Sequence, residues 1–261
     1  MEIVGTGFLA RHLQTLSGTR PDVVVLAAGV SSAISTSAAD FARERALLRM
    51  VARRCRATGR QLVFFSTASS GMYATTDGAG REDVPVTPCS PYGAHKLALE
   101  EELHEAGTGF LVLRLAHVTG PGQPAHQLLP SLTRQVRAGR VMVQRGASRD
   151  LIGVRDVVAI VGMLLDADLR NQTVNVASGW DVPVEHIVDH LAHRLGQDPE
   201  REYVPGGGRN QVSVAKLRAL VPAVDQLGFC GDYYLRVLDA RSGMPGRNSS
   251  DRRWSTHALP G

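Results

Sequence analysis

Lysine is nearly absent from this chain: of 29 Lys+Arg residues, only Lys96 and Lys216 are lysines. At that bias a lysine at position 96 is roughly a one-in-fifteen event. The distinction has chemical content, because arginine keeps its proton and lysine can release it. Cysteine is scarce as well. Cys55, Cys89 and Cys230 are odd in number and show no Cys-x-x-Cys spacing, which argues against a disulfide framework and predicts a reducing, cytoplasmic setting. No run approaches 18 apolar residues, and the N-terminus has no basic-then-apolar signal pattern, so no membrane partner is expected. Excess charge is missing too. Of the net +4, residues 242–261 supply +2 through Arg247, Arg252 and Arg253 against Asp251, leaving +2 for residues 1–241 and no nucleic-acid-type basic surface.

What is present is ordinary for a soluble globular enzyme: 261 residues, 43% hydrophobic and 21% charged. That length can bury a sizeable core as one large domain or two interleaved ones. Glu2-Ile3-Val4 reads as a short buried strand, followed at once by Gly5-Thr6-Gly7-Phe8-Leu9-Ala10 and a helix that Ser17-Gly18 ends. Strand, Gly-x-Gly-x-x-Ala and helix in that order form a dinucleotide fingerprint. The glycines permit a tight turn and close approach of backbone to a pyrophosphate. Val23 to Gly29 is a continuous apolar run, as for a strand covered on both faces. A helix over 40–58 stopped by Gly59, a strand at Leu62–Phe65 and a strand at Phe110–Leu115 follow. Their alternation predicts an α/β, Rossmann-like, doubly wound parallel sheet, whose ligands bind beyond the carboxyl ends of the strands. The glycines and the hydroxyl cluster Ser66–Ser70 both fall there.

Between those strands lies Ser90-Pro91-Tyr92-Gly93-Ala94-His95-Lys96, which reads as a helix start. Tyr92 and Lys96 then stand one turn apart on one face. An ammonium beside a phenol favours the phenolate, so Tyr92 is expected to exchange a proton nearer neutral pH than its free value of about 10. Further on, Arg149–Asp156 reads as a strand with Asp156 capping a helix through Leu165. Val174–Ala177 reads as a strand, Val184–Leu195 and Val212–Leu220 as helices, and Pro205–Gly208 as a loop. Residues from Ser242 onward read as a disordered tail.

Together these segments resemble the extended short-chain dehydrogenase/reductases, in particular the nucleotide-sugar epimerases, dehydratases and 4-ketoreductases. Gly7–Leu13 is similar to the family's Gly-Phe-Ile-Gly-x-His-Leu, and Val25–Ala28 to its His-Leu-Ala-Ala strand. Ser69–Tyr73 resembles the serine/threonine motif ending in Val-Tyr or Met-Tyr, and Tyr92-x-x-x-Lys96 its catalytic pair. Leu113–Gly122 and Arg149–Asp156 resemble two substrate-side signatures, and Asn175–Gly179 a late strand.

The resemblance implies a catalytic set of Tyr92 as general acid/base, Lys96 on the nicotinamide ribose and Ser69 on the sugar oxygen. It implies NAD or NADP held by Gly5, Gly7, Phe8, Leu9, Ala10, Ala27, Ala28, Gly29 and Lys96. A nucleotide-sugar substrate would meet Thr67, Ser70, His117 and Arg149, the last on its diphosphate, with Thr67 or Ser70 as alternatives to Ser69. Homodimers are typical of the family, and no metal is implied. The division implied is a cofactor core at 1–118 and 153–179, with a small substrate-binding subdomain at 119–152 and 180–241.

Three departures qualify that pattern. The family's second and third strands are missing, and with them the acidic residue about 20 positions past the glycines that would hold the adenosine ribose. Ser70-Gly71 stands where dehydratases carry Asp-Glu, and His117 stands where a substrate-contacting Asn is usual. The rivals are therefore a lyase or dehydratase relative working through other residues, and a non-catalytic scaffold. Elsewhere the sequence suggests bland roles. His186, His190 and His193 are expected to face solvent opposite Val184, Ile187, Val188, Leu191 and Leu195, and Cys55 and Cys230 to be small core residues.

Overall fold

The structure is a computed structural model that describes residues 1–31, 37–73, 80–205 and 208–241, without the side chains of Ser70 and Arg241. The tail read from Ser242 onward and the Ser70 side chain thus lie outside the described residues, as do Gly206 and Gly207 of the loop. Strands β1 (Glu2–Val4), β2 (Val23–Leu26), β3 (Gln61–Thr67), β4 (Phe110–Leu115) and β8 (Gln172–Val176) form one parallel sheet in the order β1-β2-β3-β4-β8. The expected strand loss is visible in its geometry. Among the described residues β1 pairs only with β2, and its three residues are half-buried while all of β2 is buried.

Side chains alternate across a strand, so a sheet covered on both faces must be apolar at every position. Val23, Val25, Val63, Phe65, Leu111 and Leu113 pack on one side with α1 (Phe8–Leu13) and α6 (Val154–Asp166). Val24, Leu26, Leu62, Phe64 and Val112 pack on the other with α2 (Ala38–Thr58) and α4 (Pro91–Glu105). This double wrapping is the expected doubly wound α/β arrangement. Emptying one such position, for example Leu48→Ala, removes about 2–5 kcal/mol. Helix α2 starts earlier than predicted because Ser37 and Asp40 form a reciprocal capping box, and Gly59 ends it at φ 66°.

Beyond β4 the chain makes short elements that the sequence reading missed: β5 (His117–Thr119), α5 (Leu128–Arg137) and β6 (Arg140–Gln144). β7 (Ser148–Gly153) pairs with β5 and with β9 (Asp181–Pro183), and β10 (Glu200–Val204) pairs with β6. A separate apolar cluster joins α5, β6 and α7 (Val184–Leu195).

Several expectations need correction here. Gly153, not Asp156, precedes α6 as its cap; Asp156 lies in the first turn and accepts a hydrogen bond from the Tyr233 hydroxyl. The last predicted helix begins at Ala215 rather than Val212, as α8 (Ala215–Leu220), and α9 (Tyr233–Arg241) follows it. Cys230 is exposed, its thiol donating to Asp232, whereas Cys55 is buried as expected. His190 does not face solvent freely, since its Nε2 lies 3.0 Å from Asp239 of α9. No helix among the described residues is long and apolar enough to cross a membrane.

Candidate active site

The site assembles at the carboxyl ends of β1 to β4. Gly5, at φ +136°, leaves β1 so close to β2 that a Cβ there would lie 2.4 Å from the Ala27 carbonyl oxygen. Only glycine accepts that conformation and that approach. Gly7 follows as the residue before α1, and a Cβ on it would meet nothing within 4 Å, leaving an open cradle beside the turn. Phe8 and Ala10 are buried and Leu9 is half-buried, so these three seat α1 on the sheet. Beyond Ala27 and Ala28, Gly29 (φ +146°) passes Glu44 of α2, whose Oε1 would be 2.2 Å from a Cβ at that position. Glu44 in turn holds Lys96. The fingerprint turn, the end of β2 and the lysine therefore lie along one continuous line of contacts.

Helix α4 presents Tyr92 and Lys96 as the sequence predicts. Ser90 caps it by accepting from the Gly93 amide at 3.0 Å, and Pro91 occupies the first turn where its missing N–H costs nothing. The hydroxyl turn is built against this helix start. Thr67, buried at the end of β3, accepts from the Ser69 amide at 3.1 Å, which leaves Thr67 bracing the turn and Ser69 half-buried within it. The short helix α3 (Ser70–Tyr73) then touches α4 through two glycines. A Cβ on Gly93 would lie 2.4 Å from the Gly71 carbonyl oxygen, and one on Gly71 would lie 2.3 Å from Ser90 Oγ.

Beneath the turn a buried polar network locks α3, α4 and the sheet together. Arg114 of β4 gives Nε and Nη2 to both Glu100 oxygens at 2.7–3.0 Å, and Nη1 to the Tyr73 hydroxyl at 2.8 Å. That hydroxyl donates to Asn175 Oδ1 at 2.8 Å, and Ser66 donates to Glu100. Burial pushes the Tyr73 phenol up to about 12, so it stays a neutral structural donor.

The electrostatics of the Tyr92–Lys96 pair differ from the sequence expectation. Lys96 Nζ lies 5.8 Å from the Tyr92 ring centre, but it donates to Glu44 Oε1 at 2.7 Å and to the Phe65 carbonyl at 3.2 Å. The Tyr92 hydroxyl makes no hydrogen bond among the described residues. Burial raises its pKa above the ordinary 10; Lys96 pulls downward and Glu44 pushes upward, and the net direction is up. Desolvation alone outweighs the lysine, and the Glu44 carboxylate adds a smaller push in the same upward direction.

Sequence reasoning missed Glu44. A signal was available: positions 44, 48, 51, 52 and 55 share one buried helical stripe, and a carboxylate on an apolar stripe calls for a buried partner.

The substrate-side residues gather around β5 and β7. Thr67 pairs with Leu115, so Ser69 and His117 each leave adjacent strands two residues beyond the same rung. Burial, aided by Arg149, pushes the His117 imidazole down to about 3, and its Nδ1 is buried without a partner among the described residues. Arg149 gives its guanidinium to the Ser148 carbonyl and to Gln144 Oε1, both at 2.7 Å, with no carboxylate pairing it among the described residues. Asn210, 1% exposed, donates its backbone N–H to Ser148 Oγ, while both its side-chain polar atoms lack partners among the described residues. No motif pointed to Asn210. Next to Arg149, Asp150 is fully enclosed; burial lifts it to about 7 even though Ser178 and Gly179 donate three hydrogen bonds to it.

Residues 10–177 match the model of the NAD dependent epimerase/dehydratase family. The dTDP-6-deoxy-L-talose 4-dehydrogenase (NAD(P)(+)) of Kitasatospora kifunensis is 30% identical over 161 residues, 57% of this chain and 51% of that protein. The UDP-glucose 4-epimerase of Azospirillum brasilense is 32% identical over 114 residues, 41% of this chain and 30% of its own length. The match thus spans about half or less of these curated relatives. Among solved structures, RMD from Pseudomonas aeruginosa complexed with NADPH superposes with a TM-score of 0.73 at 22% identity, covering 93% of this chain and 98% of that one. That likeness is one of fold.

Proposed function

We propose that this chain, which belongs to the NAD dependent epimerase/dehydratase family, is an NAD(P)-dependent sugar-nucleotide oxidoreductase, an epimerase or a 4-ketoreductase. One observation carries the reading: the glycine turn, the end of β2, Lys96 and the Ser69 turn with Tyr92 meet along the carboxyl ends of β1 to β3 through direct contacts. The cofactor's pyrophosphate and nicotinamide ends fit the residues present. Gly5 lets the turn close tightly against β2 and Gly7 leaves an open backbone cradle beside it, and Ala27 to Gly29 lead from there to Lys96, which retains one N–H uncommitted among the described residues. The adenosine end has less to hold it, since no described strand flanks β1 on its outer side.

A bound nicotinamide supplies or accepts the hydride. The chain's own part is proton transfer and positioning. Tyr92 exchanges a proton with the sugar oxygen, Ser69 hydrogen-bonds that oxygen, and Lys96 anchors the ribose. Arg149, a planar cation with no carboxylate partner among the described residues, takes the diphosphate. His117, held neutral, offers Nδ1 to the sugar. The contact between Gly71 and Ser90 weighs against classical dehydration, because an acidic side chain at position 71 would occupy the space of Ser90 Oγ.

Melting shifts with NAD+, NADPH and nucleotide sugars, combined with Tyr92→Phe, test this reading. The expected result is stabilisation by a nicotinamide cofactor and loss of turnover in the variant. No response to any nicotinamide cofactor at millimolar concentration would leave a scaffold, and undiminished turnover by Tyr92→Phe would overturn the catalytic assignment.

A further inference from the structure

Glu44 is 3% exposed and sits between Gly29 and the two α4 side chains next to Tyr92's own turn. A carboxylate taken out of water is costly unless it is paired and hydrogen-bonded. Glu44 is both. Oε1 accepts from Lys96 Nζ at 2.7 Å and Oε2 lies 3.0 Å from His95 Nε2. His95 is fixed by a stacked Phe41, ring centres 4.2 Å apart, and burial keeps its pKa below the usual value. The carboxylate therefore has one cation and one neutral donor, and the Lys96–Glu44 pair has no net charge. Lys96 Nζ is further held by the Phe65 carbonyl and stands 5.0 Å from the Phe64 ring centre.

We propose that Glu44 is a positioning residue that pins Lys96 to the end of β3 and offsets its charge at Tyr92, so that the resting site presents Tyr92 as a phenol suited to protonating a sugar ketone. The inference rests on Tyr92 being the acid/base of the function proposed above, and it favours the 4-ketoreductase direction within it. In that direction the C=O π bond breaks and the ketone carbon gains a hydride from a reduced nicotinamide. The oxygen takes the Tyr92 proton, and the phenolate left behind is reprotonated from solvent. Hydride and proton together convert C=O to CH–OH, the ketone being reduced and the nicotinamide oxidised.

Other charged and titratable groups around α4 are committed elsewhere. On β4, Arg114 binds Glu100 and Tyr73; on α3, Tyr73 binds Asn175; on β3, Ser66 binds Glu100. On α2 the neighbouring Arg45 pairs with Glu102. Among the described residues that leaves Lys96 and Glu44 as the charges that set Tyr92, with His95 neutral.

The test is a tyrosinate titration by ultraviolet absorbance, read within milliseconds of a pH jump and corrected with Tyr92→Phe. Removing a unit charge at the distance of Lys96 Nζ, 5.8 Å from the Tyr92 ring centre, moves its midpoint by about one to two pH units. Lys96→Gln is expected to raise the midpoint by that amount, Glu44→Gln to lower it by a smaller but measurable shift, and Glu44→Asp to keep it near the parent. The double variant Glu44→Gln with Lys96→Gln, which buries no unpaired charge, is expected to return close to the parent value. A folded Glu44→Gln with an unshifted midpoint overturns the proposal, as does a double variant that titrates far from the parent. The titration uses neither substrate nor cofactor. It can therefore fail while Tyr92→Phe still abolishes turnover, and the two readings fall separately.

Discussion

Gly93 faces Gly71 so closely that a methyl group on Gly93 would lie 2.4 Å from the Gly71 carbonyl oxygen, and that oxygen also accepts from the Cys89 amide at 3.0 Å. The tyrosine helix and the serine turn are therefore registered against each other by bare backbone. Gly93→Ala is expected to push α3 from α4, costing about 1–3 kcal/mol of stability, as other overpacking substitutions do. Turnover should fall further than stability alone explains. A variant with parent-like melting and parent-like kcat would show that the contact does not set the geometry.

Glu100 and Arg114 are both buried and paired through three hydrogen bonds, with Ser66 and Tyr73 completing their partners. Removing one partner leaves an uncompensated charge, so Glu100→Ala is expected to cost about 3–5 kcal/mol. Replacing both, with Glu100→Leu and Arg114→Met, is expected to recover part of that loss. Urea midpoints at constant m-value measure it, and equal midpoints for the single and double variants would contradict the pairing argument.

His117 and Asp150 oppose each other in the pH dependence of stability. His117 is lowered from 6.5 to about 3, so its contribution is present above 6.5 and is lost as pH falls toward 3. Asp150 is raised from 3.8 to about 7, so its contribution is present below 3.8 and is lost as pH rises through 7. Between pH 4 and 6.5 the two slopes partly cancel. His117→Asn is expected to gain about 1–3 kcal/mol on the parent as pH drops from 7 to 4. Parallel stability curves for parent and variant across that range would refute the assignment of a buried neutral imidazole.

Arg149 spends its hydrogen bonds on two carbonyls and an amide oxygen rather than on a carboxylate among the described residues, which leaves its charge available. Loss of a charged hydrogen bond is worth about 1.5–3 kcal/mol, or roughly 10- to 100-fold in affinity. Arg149→Ala is expected to raise the KM or Kd of a nucleotide sugar by that factor while leaving binding of a nicotinamide cofactor unchanged. Equal weakening of both ligands would indicate a structural role instead.

How much was legible beforehand depended on the range of the interaction. Residues 1–18, with strand, Gly-x-Gly turn and helix, could be read because each step is a local preference: apolar run, positive-φ glycine, amphipathic spacing. The same holds for the Ser90 cap with Pro91, the Gly59 stop and the helix Val184–Leu195. The short strands β5, β6 and β10 escaped because strands of three to five residues owe their existence to partners far along the chain. His190 and Cys230 were misjudged for the related reason that a helix or loop does not disclose what packs on it.

By itself the sequence determined that Tyr92 and Lys96 share a helical face and that the family's second and third strands are absent. Spacing and chain length are local properties, and tertiary contact cannot alter them. What that pair does was decided only in three dimensions. Glu44, 52 residues away along the chain, meets Lys96 at 2.7 Å inside the core. There the low dielectric magnifies both the cost of burying the phenolate and the field of the opposing carboxylate, and the sign of the shift on Tyr92 reverses.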